Sequence, residues 1–507
     1  MQSAQPHEQN QNPPQPKKKK RKKWPYILII ILALLFGTAF LGFRFLKNIT
    51  PGQLVESNFV QDTIVKFLGE EKRGLVEIMP QFLGFAEPRT YLVLFLNNTE
   101  MRPGGGFIGS YAVVRVNKGQ TEILKVDGTE NLDAGAPGTW KVVPPEPITE
   151  HLGIDRWYFR DSNWSPDFVE SAKKALEFYK AEGGVAAGEI DTVIALTPTA
   201  LERIMEITGS FTIEGIYLTP ETVTEKLEYE VEYGYVNRGI EKKDRKVIIK
   251  TFFLELLAHA RDTLFDNLEN YVVVFDELIE ERHLMVYSTD TALQKAADEQ
   301  NMSGRQYTGA GDYLMWVDAN MAALKTDHAM KRHLTYTITR RPASDEGEKD
   351  YYMAAANMEY TNTGSFDWRT TRYRTYARIF VPEDAELVST IGAMKVGDLG
   401  EEPVVGQGIE NGKKWFGAFI SIEPGETKTL QFIYRLSPKV QREIEKGSYT
   451  LFVQKQLGTI GHILTTDLEF GKTITSAAPA EPKGVWGDSH YGFQTDLSVD
   501  REFTIDL

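Results

Sequence analysis

Residues 97–116, NNTEMRPGGGFIGSYAVVRV, decide the fold of the first half of the chain. An apolar run, Tyr91–Leu96 (YLVLFL), precedes this stretch and predicts a buried strand. Alternating residues from Tyr111 to Val116 end the stretch and predict a second strand. The polar turn between them contains an acid, a base and three consecutive glycines, so the sequence predicts a hairpin with a glycine-rich connection.

The glycine-rich turn allows two interpretations. The consecutive amides of Gly104, Gly105 and Gly106 could form an anion-binding nest beside the fixed positive charge of Arg102. Alternatively, the turn is only a hairpin in which Glu100 and Arg102 pair with each other or point into solvent. The turn alone does not define a reaction.

Composition limits the class of protein. With 507 residues the chain is long enough for two folded domains. It contains no cysteine, which excludes disulfides, thiolate metal sites and cysteine nucleophiles and fits an exported bacterial protein. The seven residues Lys17–Lys23 are all basic although the formal charge of the chain is −14, so the remainder is strongly acidic. An acidic body argues against a nucleic-acid partner.

The N-terminal residues predict a membrane anchor. Residues 1–23 are polar and end in the basic block, so they predict a disordered cytoplasmic tail. Residues 24–46, WPYILIIILALLFGTAFLGFRFL, have the length and apolar character of a bilayer span, and no small-residue cleavage site stands out after them. We therefore expect a single-pass signal-anchor in the cell membrane, with the N-terminus in the cytoplasm and the main body outside it.

Beyond the span the pattern changes twice. Residues 47–88 predict a juxtamembrane helical segment. Strands interleaved with helices over residues 89–332 predict an α/β domain with a mixed sheet and covering helices, closed by a strand at 313–317. Short alternating strands over residues 333–507 predict an all-β, immunoglobulin-like sandwich.

Four blocks of sequence carry a family resemblance. They are NNTEMRPGGGFIGS at 97–110, RDSNWSPDF at 160–168, IDTVIALTPTALERIMEITG at 190–209 and VDANMAALKTDHAMKR at 317–332. Together they resemble the bacterial family called domain of unknown function 4012, over roughly residues 89–332. Gly104 stands where members often have threonine, and MAAL stands before Lys325 where members often have a glycine-rich segment. The resemblance implies an extracytoplasmic protein anchored in the bacterial envelope and implies no activity.

A looser similarity reaches the LytR-CpsA-Psr envelope ligases, which transfer glycopolymers from polyprenyl pyrophosphate lipids. Their anchor topology is the same, and their Arg/Asp chemistry corresponds to Arg102, Arg160 and Asp161. The resemblance implies a glycopolymer or polyprenyl-phosphate transferase as the alternative to a protein that binds a surface polymer or partner and contributes to envelope assembly. Whether the chain is an enzyme stays open.

Polar residues at predicted strand ends form the candidate site, because α/β folds place ligands there. The basic residues could hold a pyrophosphate, or an Arg/Asp network could simply brace a long loop, with Asp167 at a helix N-terminus. No histidine pair, Walker or dinucleotide motif is present, so no metal and no cofactor is predicted. The predicted partners are the lipid bilayer, through residues 24–46, and an envelope glycopolymer or a polyprenyl-linked lipid. The candidate site residues are Glu100, Arg102, Gly104, Gly105, Gly106, Arg160, Asp161, Asp167 and Lys325.

Overall fold

The computed structural model describes residues 73–263, 266–343, 350–395, 403–482 and 487–507, together with Val485 and a few positions between 58 and 70. The predicted basic tail and signal-anchor, residues 1–46, lie outside these ranges. Within them, no helix is both long and apolar enough to cross a membrane. The juxtamembrane segment contributes one described helix, α1 (Arg73–Phe82).

The first half of the chain is built on a mixed sheet of five strands and a separate short hairpin. The strands are β1 (Arg89–Asn97), β2 (Phe107–Asn117), β3 (Gln120–Gly128), β4 (Ile190–Leu196), β5 (Phe211–Ile213), β6 (Ile216–Leu218) and β7 (Leu284–Ser288). The order in the large sheet is β3-β2-β1-β4-β7, and β5 pairs with β6. β1 and β2 pair antiparallel, which confirms the predicted hairpin, whereas β1 and β4 are parallel.

Helices cover both faces of this sheet, because successive side chains of a strand point to opposite faces. Tyr91 and Val93 of β1 join one apolar cluster, while Leu92 and Leu94 join another. The continuous apolar run of β1 therefore reflects burial on both faces. The other helices of this half are α2 (Thr129–Ala134), α3 (Glu146–Leu152), α4 (Phe168–Ala181), α5 (Pro198–Thr208), α6 (Val223–Tyr229), α7 (Tyr235–Asn237), α8 (Val247–Thr263), α9 (Leu268–Glu280) and α10 (Thr291–Glu299).

Short helical turns complete this half of the chain. A π turn, Glu230–Gly234, joins α6 to α7. Three 3₁₀ turns lie at Phe159–Asp161, Lys242–Asp244 and Thr326–Ala329. The first of these turns follows the loop after α3, and the last leads into the β-rich half.

The second half consists of two larger sheets and one described helix, α11 (Pro438–Lys446). The strands are β8 (Asp312–Asn320), β9 (Met330–Arg341), β10 (Tyr351–Asn362), β11 (Tyr373–Pro382), β12 (Glu386–Ile391), β13 (Gly406–Glu410), β14 (Lys413–Ile422), β15 (Thr427–Arg435), β16 (Ser448–Gln454), β17 (Ile463–Glu469), β18 (Ser476–Ala478), β19 (His490–Asp496) and β20 (Arg501–Asp506). One sheet has the order β12-β15-β10-β9-β17-β19 and the other β13-β14-β11-β8-β16-β20-β18.

The two sheets share one apolar core. Trp316 of β8 donates a hydrogen bond from Nε1 to the hydroxyl of Tyr360 on β10, at 2.8 Å, and so joins the sheets at the centre of this core. Each sheet contains one parallel pair, β16 with β8 and β17 with β9. An immunoglobulin-like sandwich is antiparallel throughout, and strand alternation could not indicate this difference.

The strand expected at 313–317 exists as β8, but it does not close the five-stranded sheet. It lies between β11 and β16 in the seven-stranded sheet, so the expectation that it belongs to the α/β sheet is wrong. All nine of its residues are buried, since Leu314 and Trp316 enter the sandwich core and Tyr313 and Met315 join a second cluster on the opposite face. When an apolar strand is buried on both faces, its sequence does not indicate to which sheet it belongs.

Candidate ligand-binding cavity

A cavity lies beyond the carboxyl ends of β1 and β4, which are parallel neighbours in the five-stranded sheet. Ligands bind at such strand ends in α/β folds. The cavity has a volume of about 170 Å³ and is open to solvent on one side. Its walls come from the strand ends, from α5, from the α6 and π-turn segment, and from α8.

Apolar side chains make up most of the cavity wall. Because such surface gains about 25 cal/mol per Å² when it is removed from water, an apolar occupant would be held there. The apolar wall residues are Phe95, Leu96, Phe107, Leu196, Pro198, Leu201, Leu227, Val231, Ile249, Phe252 and Phe253.

One side of the cavity carries a chain of ion pairs. Lys325 Nζ lies 3.2 Å from Glu232 Oε1, and Arg245 Nη1 lies 2.9 Å from Glu232 Oε2. Arg245 Nε continues the chain to Glu130 Oε1 at 3.1 Å, and Glu130 also pairs with Lys246. Three cations thus share the carboxylates of Glu130 and Glu232 on this side of the cavity, while Glu100 and Glu228 also line it, so the lining holds three basic and three acidic side chains.

Burial and the neighbouring charges shift the pKa values of these groups in opposite directions. Burial acts to raise the pKa of Glu232, but Lys325 and Arg245 together outweigh it and the pKa is lowered. Burial lowers the pKa of Lys246, although Glu130 opposes the shift. Glu232 is therefore held as a carboxylate by its two cationic neighbours.

Glu100 also lines the cavity and differs from Glu232 in its environment. Burial raises the pKa of Glu100, against the opposing charges of Arg102 and Lys325. Its closest cationic contact is weak, since Arg102 Nη2 lies 3.4 Å from Glu100 Oε1. Burial thus favours the protonated form of Glu100, whereas Glu232 is held as a carboxylate.

Arg102 is absent from the cavity lining and is 4% exposed. Its Nε donates to Asp161 Oδ1 at 3.0 Å, and its Nη1 donates to the carbonyl oxygens of Met101 and Asn320 at 3.2 and 3.0 Å. The guanidinium group of Arg102 therefore has its hydrogen-bond acceptors within the protein. The geometry corresponds to the bracing alternative rather than to an arginine presented to a ligand.

The three glycines of the turn are buried in packed surroundings. The amide of Gly104 donates to the carbonyl of Asn163, and the amide of Gly105 donates to the carbonyl of Arg102. A Cβ on Gly106 would lie 2.5 Å from the carbonyl oxygen of Asn97, and φ there is +129°, so only glycine fits. The turn needs its glycines for close packing, and these two amides already have protein acceptors.

Arg160 and Asp161 form a network with Asp133. Arg160 Nε lies 3.3 Å from Asp133 Oδ2 and 3.7 Å from Asp161 Oδ2, while Arg102 contacts the other oxygen of Asp161. Arg102 and Arg160 therefore contact the same carboxylate, that of Asp161. This arrangement agrees with the interpretation of these residues as a bracing Arg/Asp network. This group is absent from the cavity lining.

Asp167 caps the N-terminus of α4. Its Oδ1 accepts from the amides of Val169 and Glu170 at 2.9 and 3.3 Å, and its Oδ2 accepts from the amide of Gln306 at 3.1 Å. Burial raises its pKa against these donors. Asp167 thus joins α4 to the segment that precedes β8, and it lies outside the cavity lining.

The structure brings two of the nine candidate residues, Glu100 and Lys325, to the cavity itself. The sequence pattern did not indicate that Glu228, Glu232, Arg245 and Lys246 belong to this cavity. Arg245 and Lys246 directly precede the apolar helix α8, a position at a helix start from which a side chain can reach the strand ends. Among the described residues, no group of three or more His, Asp or Glu side chains is arranged to hold a metal ion.

The first half of the chain is thus an α/β unit with a cavity at its strand ends. Residues 86–232 match the model of the family described as "Protein of unknown function (DUF4012)", which confirms the resemblance for this segment. No curated protein matches the sequence.

Similarity to solved structures is weak. A proposed nutrient binding protein from Legionella pneumophila is 10% identical, with 39% of this chain and 72% of that chain covered and a TM-score of 0.25. An M1 zinc metallopeptidase from Deinococcus radiodurans is 9% identical, with 35% and 42% covered and a TM-score of 0.17. Both likenesses are too weak to indicate a shared function.

Proposed function

We propose that the chain binds an amphiphilic lipid, with an acyl or isoprenoid chain in the cavity and an anionic headgroup beside the ion pairs. One observation carries the proposal: a single cavity combines apolar walls with a side on which three cations share two carboxylates. An apolar pocket with a few convergent charged groups is the usual form of a small-molecule site. The polar side would orient the headgroup, and the apolar walls would supply affinity.

The place of this activity follows from the expected signal-anchor. We extend the proposal to a single-pass membrane protein of the bacterial envelope whose body lies outside the cytoplasm. The bound molecule would then be a membrane lipid or a lipid-linked envelope polymer. By holding it, the protein would contribute to envelope assembly.

Filling the cavity tests the proposal. Ile249 lies in α8 and lines the cavity, so Ile249→Trp places a larger ring in the space of the lipid chain. We expect the affinity of the detergent-purified full chain for a fluorescent palmitate analogue to fall at least tenfold. Leu254→Trp is the matched control, because Leu254 lies in the same helix and is 45% exposed. Equal affinity of both variants would overturn the proposal.

The headgroup contact has its own test. Lys325→Met removes a cation that contacts Glu232 while keeping most of the side-chain volume. We expect weaker binding of palmitate and unchanged binding of uncharged hexadecanol, because only palmitate carries a negative headgroup. Equal losses for both compounds would show that Lys325 shapes the wall rather than holding a charge.

A second candidate function, transfer of a lipid-linked group, is favoured by Glu100. Burial raises its pKa and it lines the cavity, so Glu100 is the candidate general acid beside a bound headgroup. The test is release of product from a polyprenyl-pyrophosphate-linked sugar by the purified chain, with Glu100→Gln as the inactive comparison. Absence of release by the unmodified chain would remove this candidate and leave lipid binding.

A further inference from the structure

An aromatic cluster at the surface is formed partly by the helical segment that also contributes to the cavity wall. The proposed lipid binding does not involve this cluster. Tyr229 and Tyr233 come from the segment 223–237, and Trp368 comes from the loop between β10 and β11. The two tyrosine ring centroids are 6.1 Å apart with planes at 28°, while Trp368 stands at 81° and 83° to them, at 5.5 and 5.8 Å. We call these three residues the aromatic platform.

The two tyrosines of the platform are exposed to solvent although the rings touch one another, and Trp368 is partly buried. Tyr229 is 41% exposed and Tyr233 is 48% exposed. Phe366, two residues before Trp368, is 69% exposed and adds apolar surface on the same loop. A contiguous exposed apolar patch rimmed by polar residues marks a binding site more often than singly scattered side chains do.

The two chain segments of the platform are fixed to each other. Arg369, next to Trp368, places Nε 2.8 Å from Glu228 Oε2, which is next to Tyr229. Tyr229 directly precedes a π turn and Tyr233 lies within it, and such turns are frequent at functional sites. Because the rings are already held in place, a ligand would cost little side-chain entropy on binding.

Charges around the platform argue against a cationic ligand, although the run 225–235 is acidic in sequence. Glu225 and Glu228 both face Arg369, with the Glu225 contact at 3.9 Å. Glu230 pairs with Arg238 at 3.0 Å, and Glu232 pairs with Arg245 and Lys325. Each acid of the segment thus has a basic partner, with Glu225 and Glu228 sharing Arg369. Asp367, next to Trp368, accepts from the backbone amides of Arg369 and Thr370 instead. Because these carboxylates are already engaged within the protein, the platform favours a neutral ligand.

We propose that the aromatic platform binds a neutral β-linked oligosaccharide by stacking against the nonpolar faces of its pyranose rings. The C–H groups on such a face are weakly positive and pack against the negative face of an aromatic ring. The charged rim offers donors and acceptors to the equatorial hydroxyls around the sugar. Glu228 and Glu232 line the cavity, and their neighbours Tyr229 and Tyr233 form the platform, so the saccharide would lie close to the cavity. The proposal does not require a lipid in the cavity.

The test is titration of cellotetraose and chitotetraose into the full chain, observed by saturation-transfer difference NMR. The protein is held in lauryldimethylamine oxide, since a sugar-based detergent would compete. We expect saturation transfer to the pyranose C–H protons of at least one tetrasaccharide. Tyr233→Ala should weaken this binding at least tenfold, and Tyr233→Phe should preserve it because the ring face is kept.

Tyr217→Ala serves as the matched control, since Tyr217 is a 57% exposed tyrosine on the β5-β6 hairpin, outside the platform. We expect it to bind like the unmodified chain. Three results would overturn the proposal: no binding of either tetrasaccharide, equal affinity of the Tyr233→Ala and Tyr217→Ala variants, or Tyr233-dependent binding of tetramethylammonium in place of the sugars. Failure of lipid binding alone would leave this proposal intact, because its readout uses water-soluble sugars.

Discussion

Arg102 joins the two halves of the molecule at the scale of a single residue. Its side chain contacts Asp161 in the α/β half and the carbonyl of Asn320 in the β-rich half. Its own carbonyl accepts a hydrogen bond from Gln456 Nε2 at 3.3 Å, which adds a second contact to the β-rich half. Removing Arg102 would leave the buried carboxylate of Asp161 with only the longer contact to Arg160, at 3.7 Å.

Replacing Arg102 should therefore destabilise the fold. For Arg102→Ala we expect a loss of about 3 to 5 kcal/mol in unfolding free energy, because the buried carboxylate of Asp161 loses its hydrogen-bonded cation. Calorimetry of the full chain measures this as a large fall in Tm. Arg115→Ala is the control, since Arg115 pairs with Glu189, which is 58% exposed. An Arg102→Ala variant with unchanged Tm and lost ligand binding would restore the anion-site interpretation.

Asp133 and Glu182 form a buried carboxyl pair beside Arg160 and Asp161. Burial raises the pKa of Asp133 to about 8, with Arg160 opposing and Glu182 adding to the shift. Burial also raises the pKa of Glu182. Both oxygens of Asp133 lack a hydrogen-bond partner within the described structure, so a proton shared with Glu182 fits there.

This pair predicts a pH dependence of stability. The folded state binds the proton more tightly than the unfolded chain, whose aspartate titrates near pH ~3.9. The contribution of this pair to the free energy of unfolding is therefore largest below about pH 4. It declines as the pH rises towards about 8. Asp133→Asn should flatten this part of the profile, because an amide stays neutral. Parallel profiles of denaturant midpoint against pH for both proteins would contradict the shared proton.

Among single residues, the sequence indicated Glu100 and Lys325 because polar residues after strands lie at strand ends. It could not indicate that Arg102 is buried, since an arginine beside glycines has the same pattern whether it faces a ligand or a carboxylate. Arg245 and Lys246 were missed because the strand ends they approach are distant in sequence. Such positions depend on how helices pack over the sheet.

At the scale of elements, β8 decides how the chain is divided. The apolar run at 313–317 predicted the strand correctly, but its sheet depends on pairing with β11 and β16, which come much later in sequence. The hairpin β1-β2 was predictable because its partners are adjacent and joined by a turn with glycines. Local pairing can be inferred from sequence pattern, whereas long-range pairing cannot.

Fragments of the β-rich half test the role of β8. We expect residues 303–507 to show a cooperative thermal transition with a β-type circular dichroism spectrum. Residues 334–507 lack β8, so β11 and β16 lose their shared neighbour and Trp316 leaves the core. This shorter fragment should unfold without cooperativity. Equally cooperative transitions of both fragments would place the boundary at residue 333, as the sequence predicted.

At the scale of the whole molecule, the two halves are packed together around more than Arg102. Ile148 and Trp164 of the α/β half share an apolar cluster with Met321 and Phe419. Lys455 donates from Nζ to the carbonyl of Glu281 at 2.7 Å. Lys325, which follows β8, lines a cavity formed otherwise by the α/β half. The cavity is therefore a property of the assembled chain.

The expected membrane topology makes a prediction for the whole molecule. With seven basic residues before the predicted span, residues 48–507 should lie outside the cytoplasm. Protease added to intact cells that lack an outer permeability barrier should digest this part of the chain. Protection of these residues until the cells are lysed would show the opposite orientation.

Native mass spectrometry of the full chain, released from a mild detergent, tests whether the cavity holds a lipid. We predict an adduct that fragments to a compound with a long acyl or isoprenoid chain. The adduct should be strongly reduced in Ile249→Trp and retained in Leu254→Trp. An adduct-free spectrum of the unmodified chain, or equal adducts in both tryptophan variants, would contradict the account.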